Sequence, residues 1–212
     1  MTVSAFDVML YYPNQIGYAR IWLAFISFIF MQIYPGVSII CYGISGLLDA
    51  VDGYLARAYN QSSRFGAMLD QLTDRLTFAA LLMILCVFYP KWTFVFQSIV
   101  IIDIASHWLH LHATDLTGKG SHKSSDNPIL NLYYTSRPVL FFMCLGNEAF
   151  FGLLYVLHFW TGPTILTISV FKIAAVLLFP VAAVKCAISV LHLFLASKTV
   201  ADYDADKQNK TQ

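Results

Sequence analysis

Four aspartates within twenty-six residues carry the most legible chemistry in this sequence. Residues 49–74 read DAVDGYLARAYNQSSRFGAMLDQLTD, with Asp49 and Asp52 three apart and Asp70 and Asp74 four apart. On helices both spacings put the two carboxylates on one face, with Cβ atoms ~5–6 Å apart. If the flanking apolar runs form a helical hairpin turning near Asn60–Ser63, Asp49 falls opposite Asp74 and Asp52 opposite Asp70. Acids among apolar residues are costly and mark function by default. Oxygen ligands without Cys or His suit a hard cation such as Mg²⁺ or Mn²⁺. Four of them suit a two-metal site that clamps a phosphoryl group in an in-line displacement. The plain alternative is helix-end acids satisfied by Arg57, Arg64 and Arg75.

The residues between the acids narrow the chemistry. Gly53 and Ala56 remove bulk, so a flat base or a phosphate can approach the backbone, although small residues also serve helix packing. Arg57 offers a permanent charge to a diphosphate or anchors the helix end at the membrane surface. Gly66 extends the small face to the second helix. The string D-x2-D-G-x2-A-R-x8-G-x3-D-x3-D, filled by Asp49, Asp52, Gly53, Ala56, Arg57, Gly66, Asp70 and Asp74, resembles the signature of the CDP-alcohol phosphotransferase family. Eight fixed positions at set spacing are far more specific than a lone glycine motif.

Other stretches are similar to the branch of that family whose acceptor is myo-inositol. They are PNQIGYAR from Pro13, SGLLD from Ser45, RFGAMLD from Arg64, SHWLHLH from Ser106, SHK from Ser121, YYTSRP from Tyr133 and GNE from Gly146. The resemblance implies CDP-diacylglycerol and myo-inositol as substrates, Mg²⁺ or Mn²⁺ as cofactor, an endoplasmic reticulum membrane location and a homodimer. It implies that Asp49, Asp52 and Asp70 are metal ligands and that Asp74 is the general base and also a metal ligand. It also implies that Gly53, Ala56, Arg57, Ser63 and Gly66 hold the CDP moiety, with Asn14 adding a contact.

Composition places these residues in a membrane. The chain of 212 residues is 58% hydrophobic and 12% charged, about half the charged share of a soluble domain. A formal net charge of +1 leaves no electrostatic footprint for nucleic acid. Cys41, Cys86, Cys144 and Cys186 each stand alone in apolar runs and read as free thiols.

The expected architecture is all-α and polytopic, a single domain over 1–212. A short interfacial helix over 3–12 precedes six spans near 16–34, 37–59, 65–89, 92–113, 138–160 and 164–197, and a polar tail covers 198–212. Pro180 is a candidate kink in the last span. Arg57, Arg64, Lys119, Lys123, Arg137 and Lys198 gather on one side and Lys91 on the other. That asymmetry puts both termini and the acids at the cytoplasmic face.

Three further features are weighed. Asp103 and His107, one turn apart, are either second shell to a metal or a polar bridge between helices. His107, His110 and His112 lack an acidic partner at zinc-protease spacing and read as structural. Arg137 is either an acceptor contact for inositol or a membrane anchor. Two other functions stay open: an acceptor such as glycerol phosphate or serine, and an ion-coupled transporter. A transporter is disfavoured because no internal repeat is visible.

Overall fold

The computed structural model describes residues 3–117, 136–165 and 167–210, apart from the side chain of residue 137. The helices are α1 (Ala5–Met9), α2 (Tyr12–Phe30), α3 (Pro35–Ala58), α4 (Arg64–Phe88), α5 (Thr93–Thr117), α6 (Arg137–Phe159) and α7 (Val170–Asn209). A 3₁₀ turn at Pro90–Trp92 leads into α5, and a two-stranded ribbon, β1 (Thr164–Ile165) and β2 (Ile168–Ser169), leads into α7. Among the described residues the chain is thus all-α but for that ribbon.

Local sequence explains the boundaries. Pro35 and Pro90 open their elements, and Pro13 and Pro138 stand second in theirs, where a fixed φ helps and no hydrogen-bond donor is missed. Ser4 and Asp7 form a reciprocal capping box on α1. Ser63 Oγ accepts from the Gly66 amide at 3.0 Å at the start of α4, and Ser169 caps α7 through the Lys172 amide. Asn60, at φ 52°, ends α3 in the left-handed region that Asn tolerates better than most residues.

Among the described residues, five helical segments are long and apolar enough to cross a membrane: Pro35–Ala58, Arg64–Phe88, Pro90–Thr117, Pro138–Phe159 and Val170–Asn209. The chain is therefore a multi-pass membrane protein. The first of the six expected spans forms as α2, but its 19 residues include Asn14, Gln15 and Arg20, which hold it below the apolarity of the other five.

The last expected span differs at both ends. Thr164–Ile165 and Ile168–Ser169 form the ribbon, with Thr164 paired to Ser169 and Ile165 to Ile168. Gly162 at φ 68° and Thr167 at φ 73°, together with β-branched neighbours, favour a tight ribbon over a helical turn. The helix then runs unbroken through Pro180 to Asn209. The polar tail is thus helical as far as residue 209, having no Gly or Pro to stop it.

Contacts divide the chain into two units, 1–84 and 85–212. In the first, α2 and α3 meet along small polar residues. Ser27 Oγ lies 2.8 Å from Ser38 Oγ, and Ser45 Oγ donates to the Arg20 carbonyl at 3.0 Å. Gly17 lets α2 approach α4, since a Cβ there would stand 2.9 Å from Leu69 Cδ2. In the second, α7 packs on α5 and α6. Gly146 lets α6 close on Val181, where a Cβ would stand 2.7 Å from Val181 Cγ1. Tyr89 Oη donates to the Leu154 carbonyl at 2.8 Å, and Ile188 is buried among Leu140, Met143, Leu191 and Leu195.

Candidate active site

The aspartates converge as their spacing requires. Helices α3 and α4 form a hairpin whose turn spans 59–63, tied by the Gln61 amide donating to the Ala56 carbonyl at 2.9 Å. Gln61 also accepts from the Tyr12 amide at 2.9 Å, which fixes the start of α2 against the turn. Carboxylate oxygens of Asp49, Asp70 and Asp74 all lie within 4.8 Å of one another. Asp52 sits deeper: its side chain is 10% exposed, against 46% for Asp49, 47% for Asp70 and 34% for Asp74. Three half-open carboxylates therefore stand above one buried carboxylate.

A residue that the spacing argument did not single out lies at the centre. Arg20 of α2, 2% exposed, places Nη1 at 2.9 Å from Asp49 Oδ1, 2.7 Å from Asp52 Oδ2 and 2.7 Å from Asp70 Oδ1. Its Nη2 lies 2.5 Å from Asp74 Oδ1. The alternative of helix-end acids neutralised by Arg57, Arg64 and Arg75 thus misses the guanidinium that lies among them. Arg75 reaches only the rim, with Nη2 3.8 Å from Asp74 Oδ2. The signal for Arg20 was present as an ionisable residue deep in an apolar run, but its partners are all twenty-nine or more residues away.

Four carboxylates facing the Arg20 guanidinium, with Arg75 at the edge, leave a formal charge of minus two. That deficit, met by oxygen donors within 4.8 Å, fits one or two hard divalent cations. Among the described residues the cluster is of carboxylates, without the nitrogen or sulfur ligands that favour zinc.

Beside the acids, three residues named by the resemblance come together. A Cβ on Gly66 would stand 2.7 Å from Asn14 Oδ1 and 3.2 Å from Ser63 Oγ. Asn14 is buried and donates through Nδ2 to the Val8 carbonyl at 2.6 Å. Arg57 folds back along its own helix, with Nη1 3.5 Å from where a Cβ on Gly53 would be. Ala56 lies one residue before it on α3.

The other candidates belong to the second unit. Asp103 is buried on α5, and His107 Nδ1 lies 2.8 Å from the Asp103 carbonyl and 3.6 Å from its Oδ1. His110 packs against His192 of α7 with ring centroids 4.1 Å apart. This arrangement is a polar seam between α5 and α7, in keeping with the bridging alternative. Lys119 and Lys123 lie outside the described residues, and so does the side chain of Arg137.

An all-α membrane bundle with a phosphate-scale nest of carboxylates and small residues defines a class of intramembrane transferase, and comparison with known proteins gives the class its name. A family model for CDP-alcohol phosphatidyltransferases matches residues 10–211, so the chain belongs to that family. It is 48% identical over 207 residues to the human CDP-diacylglycerol–inositol 3-phosphatidyltransferase, covering 96% of this chain and 97% of that one. The Drosophila melanogaster protein of the same name is 49% identical over 214 residues, covering 100% and 95%. The Saccharomyces cerevisiae one is 41% identical, covering 98% and 94%. No solved structure matches the chain.

Proposed function

We propose that this chain transfers the phosphatidyl group of CDP-diacylglycerol to myo-inositol, giving phosphatidylinositol and CMP. The observation that carries the reading is the convergence of Asp49, Asp70 and Asp74 around a small volume, in a chain nearly half identical over its length to enzymes named for that reaction. Asp49, Asp52, Asp70 and Asp74 would hold Mg²⁺ or Mn²⁺. When bound, the two ions supply charge neutralisation for the diphosphate and for departing CMP.

The chain's own residues do the rest. Asp74, half-open and at the seam, takes the proton of the attacking inositol hydroxyl, acting by position more than by basicity. Gly53, Ala56 and Gly66 leave the backbone bare for the cytidine and diphosphate. Arg57 pairs with phosphate oxygen, and Asn14 and Ser63 offer hydrogen-bonding atoms where the two helices begin. Arg137 contacts inositol.

On this reading α2 crosses the bilayer as a sixth span, α1 lies in the interface, and the acids and both termini face the cytoplasm at the endoplasmic reticulum. The protein works as a homodimer, and its lipid substrate keeps its tails in the bilayer. The chain acts as one domain.

The test is acceptor competition. Purified protein in lipid nanodiscs receives CDP-diacylglycerol and labelled inositol, serine or glycerol phosphate in turn, with divalent metal added or chelated. Incorporation of inositol alone, reversed by CMP, is expected. Incorporation of serine or glycerol phosphate instead would reassign the acceptor, and transport without CMP-dependent exchange would remove the enzyme reading.

A further inference from the structure

We infer that Arg20 is a displaceable internal cation: its guanidinium gathers the four carboxylates when no divalent ion is bound, and withdraws from Asp49 and Asp70 when one enters. The inference rests on the proposed metal site. It concerns a positioning residue, not a group that touches substrate.

The hydrogen-bond count is the first observation. Nη1 carries two protons, given to Asp52 and Asp70 at 2.7 Å each, yet Asp49 Oδ1 stands against it as a third oxygen at 2.9 Å. Three acceptors around two donors is the way oxygens crowd a positive centre. It is unlike the paired, two-pronged match by which Arg usually binds one carboxylate.

The second observation is independent of the acids. Arg20 is 2% exposed, and its Nε is buried with no hydrogen-bond partner among the described residues. A buried N–H left unmade is destabilising. The guanidinium is therefore held where it is by charge, with its donors incompletely used, and it loses less by moving than a fully bonded arginine would.

Competition follows from which atoms are shared. Asp49, Asp70 and Asp74 are the three residues whose oxygens are close enough for one ion, and all three contact the guanidinium. A divalent cation held by Asp49 and Asp70 would draw on the same carboxylates as Nη1, and two positive centres sharing them would repel. Asp52 is outside that triple and is the most buried of the four. It is the partner the guanidinium keeps as it retreats.

The test is Mn²⁺ binding to the full-length protein in nanodiscs, read by electron paramagnetic resonance, for wild type, Arg20→Gln and Arg20→Lys. Removing the charge is expected to tighten Mn²⁺ binding at least tenfold, whereas the lysine variant stays within about threefold of wild type. Thermal unfolding supplies a second readout: Arg20→Gln melts below wild type in chelator and recovers more than wild type when Mn²⁺ is added. Unchanged or weaker Mn²⁺ binding by Arg20→Gln would overturn the inference alone, because a fixed anchor for the ligands predicts that outcome. No Mn²⁺ binding by any of the three would overturn the metal site and the inference together. Should Arg20→Gln not fold, a structure of the wild type with Mn²⁺ decides: Nη1 beyond hydrogen-bond reach of Asp49 and Asp70 is expected, and Nη1 still within about 3.2 Å of both overturns it.

Discussion

Asn14 and Gly66 are in contact because residue 66 has no side chain: a β-carbon there would stand 2.7 Å from Asn14 Oδ1. Asn14 cannot simply step aside, being buried and bonded to the Val8 carbonyl at 2.6 Å. Gly66→Ala is therefore expected to push α2 and α4 apart at their cytidine-side ends, with overpacking of about 1–3 kcal/mol. KM for CDP-diacylglycerol should rise at least fivefold while KM for inositol holds. Steady-state kinetics with each substrate varied checks this, and equal rises in both would place the contact outside the nucleotide pocket.

Asp74→Asn removes the proposed proton acceptor and leaves three carboxylates. Turnover is expected to fall by about 10²-fold or more, within the usual range for losing a general base, while CDP-diacylglycerol binding is largely retained. Binding measured by competition with a labelled nucleotide separates the two. If binding falls as far as rate, Asp74 is a ligand and no base.

Chelation provides a direct check on the acid cluster. Activity should vanish in excess chelator and return with Mg²⁺ or Mn²⁺, since Arg20 and Arg75 together leave the four carboxylates two charges short. Residual turnover in fully stripped protein would mean that the carboxylates serve the helices and not a metal.

Arg137→Ala is expected to raise KM for inositol several-fold and to leave KM for CDP-diacylglycerol within twofold. Initial rates at varied inositol concentration test it; an unchanged inositol KM would make Arg137 a membrane anchor.

The capping box on α1 gives a pH dependence. Hydrogen bonds from the Ser4 amide and hydroxyl hold the Asp7 carboxyl below its ordinary value of 3.8. A lowered carboxylate stabilises its helix above the unfolded value, and the effect is lost as pH falls through the folded one. The protection factor of the Asp7 amide, corrected for the intrinsic rise of exchange with pH, should thus be flat above about pH 5 and should fall only below about 3.8. Loss of protection centred near pH 6 would assign it to another group.

The hairpin and its acids were legible because helical periodicity is local: three- and four-residue spacings fix a face, and a turn of Asn, Gln and Ser fixes the reflection. The family's nucleotide residues were legible as a string. Arg20 was not, because it shares no face with a partner on its own helix and its four carboxylates arrive from α3 and α4. The ribbon before α7 was missed because Thr164, Ile165 and Ile168 look equally apolar as strand or as span. The tail's polarity pointed to solvent and said nothing of its conformation, while the absence of helix breakers lets α7 continue to Asn209.

The five-residue link from Tyr59 to Ser63 sets a phase as well as a distance. Inserting one residue there would rotate α4 by about 100° and shift it ~1.5 Å along its axis, carrying Asp70 and Asp74 off the seam with both helices intact. The link therefore sets the register of the two acid pairs as well as supplying Gln61 to the Tyr12 amide and Ser63 to the Gly66 amide, and an indel at that spot would silence the protein without unfolding it.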